Sequence, residues 1–422
     1  MGTLVLTNDC FASDGSLLPM DTALDRVRRN LETVVARESA PLAQALGRAL
    51  SDDVVASVNV PPHDNAAVDG WAVRHADLDD LVETRLPIGA RIPAGHPLDH
   101  PLAPGTAARV FTGAAVPIGT DTVIMQEDCR QDGEIVRIPP GAASGANRRL
   151  TGEDIAAGTV VLAAGRRLSA PDIGIAASVG QTYLPVFAPL RVAVFSTGDE
   201  LREPGSALTP GAIYDSNRYS LKALLTGFGC SISDLGILPD NRQAIRHSLE
   251  QAAQDHHVII TSGGVSDGEE DHVRAAVGDL GRLDAWRLAI KPGRPVALGV
   301  VDGRAFIGLP GNPVAMAVTF LHIAQPMLSA LAGYTWTAPM RFPVTASFAH
   351  AKKSGRREYL RVQLEPGTDG VPIARLAGQQ GSGILSSLAT ADGLLELHED
   401  DTGLQPGDRA AYLPLSEIMC RR

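Results

Sequence analysis

The strongest constraint on the fold is a stretch in which short apolar strands alternate with helices. Strands are predicted over residues 191–196, 231–238 and 257–261. Helices are predicted after each of them, over 216–228, over 244–253 and through 273–277, the first with Ser216 as its N-cap. This alternation predicts a multidomain α/β protein built on a parallel sheet with helices on both faces.

The remaining segments predict other kinds of structure. Residues 20–50 have helical spacing, with a second helix beginning near Pro41, and 168–180 also indicates a helix. Residues 54–162 are punctuated by proline and glycine and indicate a β-rich region with little helix. A long apolar helix is expected over 312–331, which Pro326 should kink or end early. Short strands and turns over 340–422 predict a small β-barrel or sandwich.

We therefore expect four parts in the chain. They are an N-terminal helical and β region (1–56 with 151–186), an elongated β-rich insertion (57–150), an α/β domain (187–339) and a C-terminal β-barrel (340–422).

Composition excludes several classes of protein. The formal net charge is −11 and aromatic residues make up 4%, which argues against a nucleic-acid-binding surface. The four cysteines show no metal-ligand spacing, so a reducing cytoplasm is expected. No membrane association is expected, because the sequence has neither a run of 18 apolar residues nor an export signal.

A glycine loop follows the predicted strand at 257–261. Ser262, Gly263 and Gly264 would let a ligand approach the backbone, and the following helix start favours an anion. The acidic residues beside this loop would repel an anion unless a divalent cation lay between them and it. The alternative is an ordinary glycine turn in which the acids serve the helix dipole.

Acidic residues also follow other strands of the same domain. Glu200, Asp240 and Asp271 come from three strand ends and could face one crevice. Separate helix caps and turns would explain the same residues without a site.

Cations follow in the second half of the chain. Lysine occurs only four times, and Lys291 lies on a Pro-Gly turn between Arg287 and Arg294, which suggests an anion clamp. A second basic cluster over residues 352–361 contains a single acid, Glu358. In the N-terminal half, the stretch from Asp64 to Asp69 forms either plain turns or a loop that presents two carboxylates.

Eight motifs in order resemble one family, the molybdopterin molybdenumtransferases, which include the E-domain of gephyrin and the plant Cnx proteins. They occupy residues 64–74, 111–114, 149–155, 196–201, 262–268, 290–295, 308–313 and 380–382. The resemblance implies an enzyme of molybdenum cofactor biosynthesis that inserts molybdenum from molybdate into adenylylated molybdopterin, with Mg²⁺-dependent release of AMP. It further implies that the α/β domain binds molybdopterin.

The resemblance also implies an assembly and partners. Members are elongated homodimers, with each cleft between the α/β domain of one subunit and the β-rich insertion of the other. The molybdopterin adenylyltransferase and molybdoenzymes that receive the product are expected partners.

Site residues carry over motif by motif. The implied catalytic residues are Asp64, Thr112, Glu200, Asp240, Asp271 and Lys291. Of these, Glu200, Asp240 and Asp271 are the implied ligands of Mg²⁺. The implied substrate-binding residues are Arg149, Asp154, Ser262, Gly263, Gly264, Ser266, Pro292, Arg361 and Ser382. Among these, Lys291, Arg361, Ser266 and Ser382 would hold molybdate, a tetrahedral dianion that requires donors and positive charge.

Two other functions remain open at this level. A non-catalytic scaffold is one, since the gephyrin E-domain also anchors receptor tails, although the acids Glu200, Asp240 and Asp271 argue against lost catalysis. The other is the adenylyltransferase that makes the intermediate, which consists of a single α/β domain without the flanking regions expected here.

Overall fold

We describe the chain from a computed structural model over residues 17–264, 272–367 and 369–419, together with Leu6 and Phe11. Two predicted site residues, Ser266 and Asp271, lie outside the described residues.

The N-terminal region is less helical than predicted. It contains β1 (Leu17–Leu18), α1 (Met20–Asn30), β2 (Arg37–Pro41), a 3₁₀ turn (Leu42–Gln44) and β3 (Val54–Val55). The helix predicted near Pro41 is wrong, because β2 is extended and pairs antiparallel with residues 183–187. A residue that precedes proline is sterically disfavoured in the helical region, which favours the extended backbone at Ala40.

The following region is β-rich, as predicted. Its strands are β4 (Asn65–Ala66), β5 (Gly70–Val73), β6 (Thr84–Ile92), β7 (Ala107–Val110), β8 (Thr122–Met125), β9 (Arg130–Asp132), β10 (Ile135–Ile138) and β11 (Arg148–Arg149). Six of them form a sheet in the order β8-β5-β7-β6-β10-β9, and β4 pairs with β11. We call the elements β4–β11 the insertion. Its only helical segments are 3₁₀ turns, and the structure describes this region throughout.

The chain then returns to the N-terminal region through β12 (Val160–Leu162), α2 (Ala170–Ser178) and β13 (Tyr183–Phe187). The predicted helix over 168–180 is confirmed as α2, with Pro171 in its first turn. Ser169 and Asp172 form a capping box that satisfies backbone donors at its start.

The α/β region carries the large sheet. Its elements are β14 (Arg191–Thr197), β15 (Leu201–Arg202), β16 (Ile213–Tyr214), α3 (Ser216–Phe228), β17 (Ser231–Leu238), α4 (Arg242–Asp255), β18 (Val258–Ser262), α5 (His272–Leu280), β19 (Gly281–Leu288), β20 (Ile290–Lys291), β21 (Pro295–Val301), β22 (Arg304–Leu309), α6 (Pro313–Thr319) and α7 (Gln325–Leu331). The sheet order is β1-β19-β21-β22-β18-β14-β17.

The sheet is mixed rather than wholly parallel. Strands β17, β14, β18 and β22 are parallel, whereas β21 is antiparallel to both β22 and β19. The tight Asp302-Gly303 connection between β21 and β22 leaves no room for a crossover helix, so these two strands must be antiparallel.

Helices cover both faces of this sheet, as predicted. Val194 and Ile260 pack on one face with Leu221 and other residues of α3 and α6. Phe195 and Ile259 point to the other face, where α4 and α5 cover them. Alternate residues of one strand therefore belong to different cores, as strand geometry requires.

Two helix boundaries differ in detail from the prediction. Asp215, rather than Ser216, caps α3 by accepting a hydrogen bond from the Arg218 backbone N–H, and Gly229 ends the helix in the left-handed conformation. The helix over 313–331 is interrupted by a π-helical turn at Phe320–Ala324, just before Pro326, and then resumes as α7. This helix is long and apolar enough to span a membrane, but 89% of its most apolar window is buried in the fold, as in a core helix.

The C-terminal region is a closed barrel, which decides between the two predicted alternatives. Its elements are β23 (Phe342–Ala346), β24 (His350–Ala351), β25 (Arg357–Glu365), β26 (Ile373–Leu376), α8 (Leu385–Ala389), β27 (Gly393–Leu397), β28 (Gly403–Leu404), β29 (Arg409–Pro414) and α9 (Leu415–Met419). Pairing runs β25-β26-β23-β29-β27 and back to β25. Strand β20 of the α/β region also pairs with β25, which joins the two regions.

His257 should make the stability of the fold depend on pH. Its Nδ1 accepts a hydrogen bond of 3.0 Å from the Arg191 backbone N–H, and burial lowers the pKa of His257 to about 4. Above pH 6.5, the usual pKa of histidine in the unfolded chain, His257 is neutral in both the folded and the unfolded protein. As the pH falls from 6.5 towards 4, the unfolded chain binds this proton and the folded protein does not, so the free energy of unfolding decreases by about 3 kcal/mol in total. In His257→Asn, whose amide oxygen can take the place of Nδ1, we expect urea unfolding midpoints at pH 7 and 4.5 to lie closer together than in the wild type. The exposed His100→Asn is the control, and equal pH dependence in all three proteins would contradict this assignment.

Candidate active site

A cavity of about 590 Å³ lies between the α/β region and the barrel. We call it the central cavity. Seven of the predicted site residues line it: Glu200, Gly263, Gly264, Lys291, Pro292, Arg361 and Ser382. They come from five separate stretches of sequence, so the fold brings together motifs that are far apart in the chain.

Sheet geometry explains part of this convergence. The carboxyl ends of the parallel strands β14, β18 and β22 are in register, with Ser262 opposite Ser196 on one side and Leu309 on the other. The loops that leave these ends therefore meet at one edge of the sheet, where ligands of open α/β folds bind. An adjoining cavity of about 150 Å³ at the same edge is lined by Glu200, Ser262 and the two loop glycines.

The glycine loop, residues 262–264, requires glycine at residue 264. Gly264 has φ +65°, and a Cβ there would lie 2.7 Å from Thr197 Cγ2 and 2.8 Å from Val273 Cγ2. Gly263 also has positive φ, and its backbone N–H donates to the Leu309 carbonyl at 3.0 Å. The loop thus presents its backbone, without side chains, to both cavities.

Asn217 is a structural member of this site that sequence reasoning missed. Its Nδ2 donates to Ser262 Oγ at 2.9 Å and to the Gly311 carbonyl at 2.7 Å, while Ser262 Oγ donates to the Pro310 carbonyl at 3.1 Å. One amide therefore ties the start of α3 to two of the loops that line the cavities. The only sequence signal was its place directly after the predicted cap, where an asparagine usually indicates capping.

The predicted acids lie at neighbouring strand ends. Asp240, which follows β17, accepts a hydrogen bond of 3.2 Å from Thr197 Oγ1 at the end of β14. Glu200 follows β14 and lines both cavities. Among the described residues, no three acidic, histidine or cysteine side chains lie close enough together to hold a metal ion. The third predicted ligand, Asp271, lies outside the described residues.

Arg218 holds the loop that follows Glu200 and connects the parallel strands β15 and β16. It is buried and forms ion pairs with Asp215 (2.9 Å), Asp234 (2.5 Å) and Glu203. Because Glu203 lies between β15 and β16, this network anchors the loop beside the smaller cavity.

Cations dominate the barrel side of the central cavity. Arg361 is 1% exposed and donates to Ser387 Oγ at 3.1 Å and to the Gly381 carbonyl at 3.1 Å. Burial lowers the pKa of Arg361 to about 10, against the opposing effect of the Glu358 carboxylate, so it remains charged at neutral pH. Within the described residues its guanidinium donates to uncharged groups and forms no ion pair. Lys291 pairs with Glu358 at 2.8 Å. The side has the charge and the donors that an oxyanion requires.

Asp64, Thr112, Arg149 and Asp154 lie in the insertion or directly beside it, and the central cavity includes none of them. Asp64 Oδ1 accepts hydrogen bonds from the Thr151 backbone N–H (2.8 Å) and hydroxyl (2.9 Å), which lower the pKa of Asp64. Arg149 lies opposite Asn65 in the β4–β11 pair, and the Asp154 backbone N–H donates to the Val60 carbonyl at 3.1 Å. The fold thus gathers Asp64, Arg149 and Asp154 around β4, away from the cavity lining.

Thr112 is held in the same way by an acid that was not predicted as a site residue. Asp69 Oδ1 accepts hydrogen bonds from both the backbone N–H and the hydroxyl of Thr112, each at 2.8 Å. These bonds lower the pKa of Asp69. The two aspartates of the 64–69 stretch therefore each organise a threonine loop.

Models of known families match most of the chain. A model of the MoeA N-terminal region (domains I and II) matches residues 18–180, a probable molybdopterin binding domain matches 193–330, and the MoeA C-terminal region (domain IV) matches 343–415. The molybdopterin molybdenumtransferase of Haemophilus influenzae is 35% identical over 408 residues, which cover 96% of this chain and 100% of that protein. The chain belongs to the molybdopterin molybdenumtransferase family.

Further relatives agree with this membership. Molybdopterin molybdenumtransferase 2 of Mycobacterium tuberculosis is 37% identical over 372 residues, covering 85% of this chain and 90% of that one. The crystal structure of a molybdopterin biosynthesis moeA protein from Pyrococcus horikoshii OT3 superposes with a TM-score of 0.82 at 28% identity, covering 94% of this chain and 100% of that one. Membership of the molybdenumtransferase family makes the chain a transferase of molybdenum cofactor biosynthesis. Matches on both sides of the α/β region disfavour the single-domain adenylyltransferase.

The glycine loop provides a test of the cavity edge. Gly264→Ala should destabilise the protein by about 1–3 kcal/mol, because alanine would be strained at positive φ and its Cβ would collide with Thr197 and Val273. Thermal unfolding of the full chain measures this loss. Gly278→Ala in α5, where nothing lies within 4 Å of the new Cβ, should be neutral or slightly stabilising. A Gly264→Ala protein as stable as the wild type would contradict the positive φ and the close contacts with Thr197 and Val273 assigned to this residue.

Proposed function

We propose that this chain inserts molybdenum from molybdate into adenylylated molybdopterin and releases AMP in a Mg²⁺-dependent step. The observation that carries the proposal is the central cavity, which joins a side-chain-free glycine loop to a cluster of buried and half-exposed cations. A substrate that contains both a phosphoanhydride and an oxyanion needs both features in one place.

Molybdate would bind at the barrel side of the cavity. Lys291 and Arg361 supply positive charge and N–H donors, and Ser382 lies beside them on the lining. Ser266, which lies outside the described residues, is proposed as a second hydroxyl. Because Arg361 donates only to neutral groups of the described chain, its charge is available to stabilise a dianion.

The adenylylated pterin would lie along the glycine loop. Gly263 and Gly264 allow close approach of its phosphates, while Ser262 and Pro292 shape the walls. The Asn217 amide keeps the two loops on either side of this path at a constant separation.

Mg²⁺ fits the acids at the strand ends. This ion is usually held by one or two carboxylates together with substrate phosphates, so Glu200 and Asp240 suffice with the substrate present, and Asp271 is proposed as a third ligand. When bound, the ion would neutralise negative charge on the phosphoanhydride as AMP departs.

The working unit is proposed to be a cytoplasmic homodimer. Asp64, Thr112, Arg149 and Asp154 do not line the central cavity of their own chain, so a second subunit would supply them. The free thiols of Cys129 and Cys230 are compatible with a reducing compartment. An adenylyltransferase that supplies the substrate and molybdoenzymes that receive the product are the proposed partners.

The reaction is tested by AMP release from adenylylated molybdopterin in the presence of molybdate and Mg²⁺. Lys291→Met should raise the KM for molybdate about 10- to 100-fold, the loss expected for one hydrogen bond to a charged group. Lys222→Met removes a lysine that pairs with Asp234 outside the central cavity, and its KM should stay at the wild-type value. Substrate binding by the wild type without any AMP release would overturn the proposed function.

A shared active site is tested with mixed dimers. Asp64→Ala and Asp240→Asn should each abolish activity, one through the insertion and the other through the α/β region. Co-expression with two different tags isolates dimers that contain one chain of each variant. Since such a dimer has one intact site of two, roughly half of the wild-type activity should return. Inactive mixed dimers would mean that each site is built within one chain.

A further inference from the structure

A buried carboxylate lies on the cationic side of the central cavity. Glu358 is 5% exposed and lines the cavity between Arg356 and Arg361. Its Oε1 contacts Lys291 Nζ at 2.8 Å and His350 Nε2 at 3.1 Å. No motif of the sequence marked this residue, which appeared only as the single acid of a basic cluster.

Strand pairing fixes Glu358 beside Lys291. The short strand β20 runs parallel to β25, and Lys291 is the register partner of Glu358. The Arg357 backbone N–H also donates to the Ala289 carbonyl at 2.7 Å, which continues the connection. The backbone pairing therefore keeps the two residues side by side at the junction of the α/β region and the barrel.

Glu358 lowers the positive charge that a ligand meets. The Lys291 side chain is 52% exposed and thus open to the cavity, but its charge is already paired with Glu358. The Arg361 guanidinium forms no ion pair within the described residues, although the negative charge of Glu358 also acts on it. With Glu358 ionised, these three groups carry a net charge of one positive unit rather than two. Because Coulomb energy scales with the product of charges, Glu358 opposes a dianion twice as strongly as a monoanion at the same place.

We propose that Glu358 determines the charge specificity of the oxyanion site, by holding Lys291 in place while weakening the binding of tetrahedral dianions. The inference rests on the proposed function, since it assumes that an oxyanion binds between Lys291 and Arg361. A moderate affinity suits an oxyanion that is a substrate and must give up its metal. Without Glu358, the charges of Lys291 and Arg361 would bind the oxyanion more tightly and slow its reaction.

Two oxyanions of the same shape and different charge provide the test. Tungstate is a tetrahedral dianion and perrhenate a tetrahedral monoanion, and calorimetric titration of the full-length protein measures the Kd of each. Glu358→Gln keeps an oxygen acceptor for Lys291 and removes the charge. We expect the Kd of tungstate to fall about tenfold and that of perrhenate about threefold, since the same potential acts on two charges or on one.

Matched variants separate the effect of the Glu358 charge from its structural role between the α/β region and the barrel. Glu358→Asp retains the charge and should keep the wild-type ratio of the two affinities. Glu365→Gln makes the same change on the same strand, at an exposed residue that pairs with Arg375 and does not line the cavity, and should leave both Kd values unchanged. The double variant K291Q/E358Q, in which neither partner is left alone, should bind tungstate more tightly than K291Q.

The outcomes are distinct. Weaker tungstate binding by Glu358→Gln, or equal shifts for both oxyanions, would show that Glu358 only ties the two regions together. Binding of both oxyanions by K291Q and K291Q/E358Q with the same affinities would overturn the inference in the same way. A wild-type protein that binds neither oxyanion would overturn the oxyanion site of the proposed function, and this inference with it.

Discussion

The pairing of β20 with β25 is the contact on which the site depends. It joins the α/β region, which carries the glycine loop, to the barrel, which carries Arg361. Only two residue pairs form this contact, yet it sets the position of Lys291 against Glu358 and closes one wall of the central cavity. Lys291 is thereby held by a cross-strand ion pair beside a hydrophobic core that the two regions share, since Tyr359, Leu394 and Leu413 of the barrel belong to the same cluster as the α/β strands.

The opposite wall is organised by uncharged groups. Glycines at positive φ remove side chains from the path of a ligand, and the Asn217 amide links the loops through neutral hydrogen bonds. Charge is thus concentrated on the barrel side and at the acidic strand ends, with an electrically neutral backbone surface between them. This arrangement suits an extended anionic ligand whose charged groups bind to the charged side chains and whose remaining atoms contact the neutral backbone.

The insertion follows a different design. Asp64 and Asp69 use their carboxylates to fix threonine loops, and hydrogen bonds to backbone N–H groups lower the pKa of both. An aspartate held in this way is ionised and already saturated on one oxygen. It presents a fixed geometry to whatever approaches the insertion.

The sequence alone was sufficient to predict the α/β alternation, the β-rich insertion and the order of motifs that indicated the family. These features depend on hydrophobic periodicity and turn residues, which can be read from residues close together in the chain. The local pattern failed at Pro41, where long-range pairing with residues 183–187 outweighed helical spacing, and it could not foresee the antiparallel β21 within the sheet. Glu358, Asn217 and Asp69 were not predicted as site residues for the same reason, since each acts on a partner that is distant in sequence. Only the tertiary structure decided that Arg361 is buried without a carboxylate partner among the described residues and that Lys291 has one, because the field at a charged group depends on which strands lie beside it.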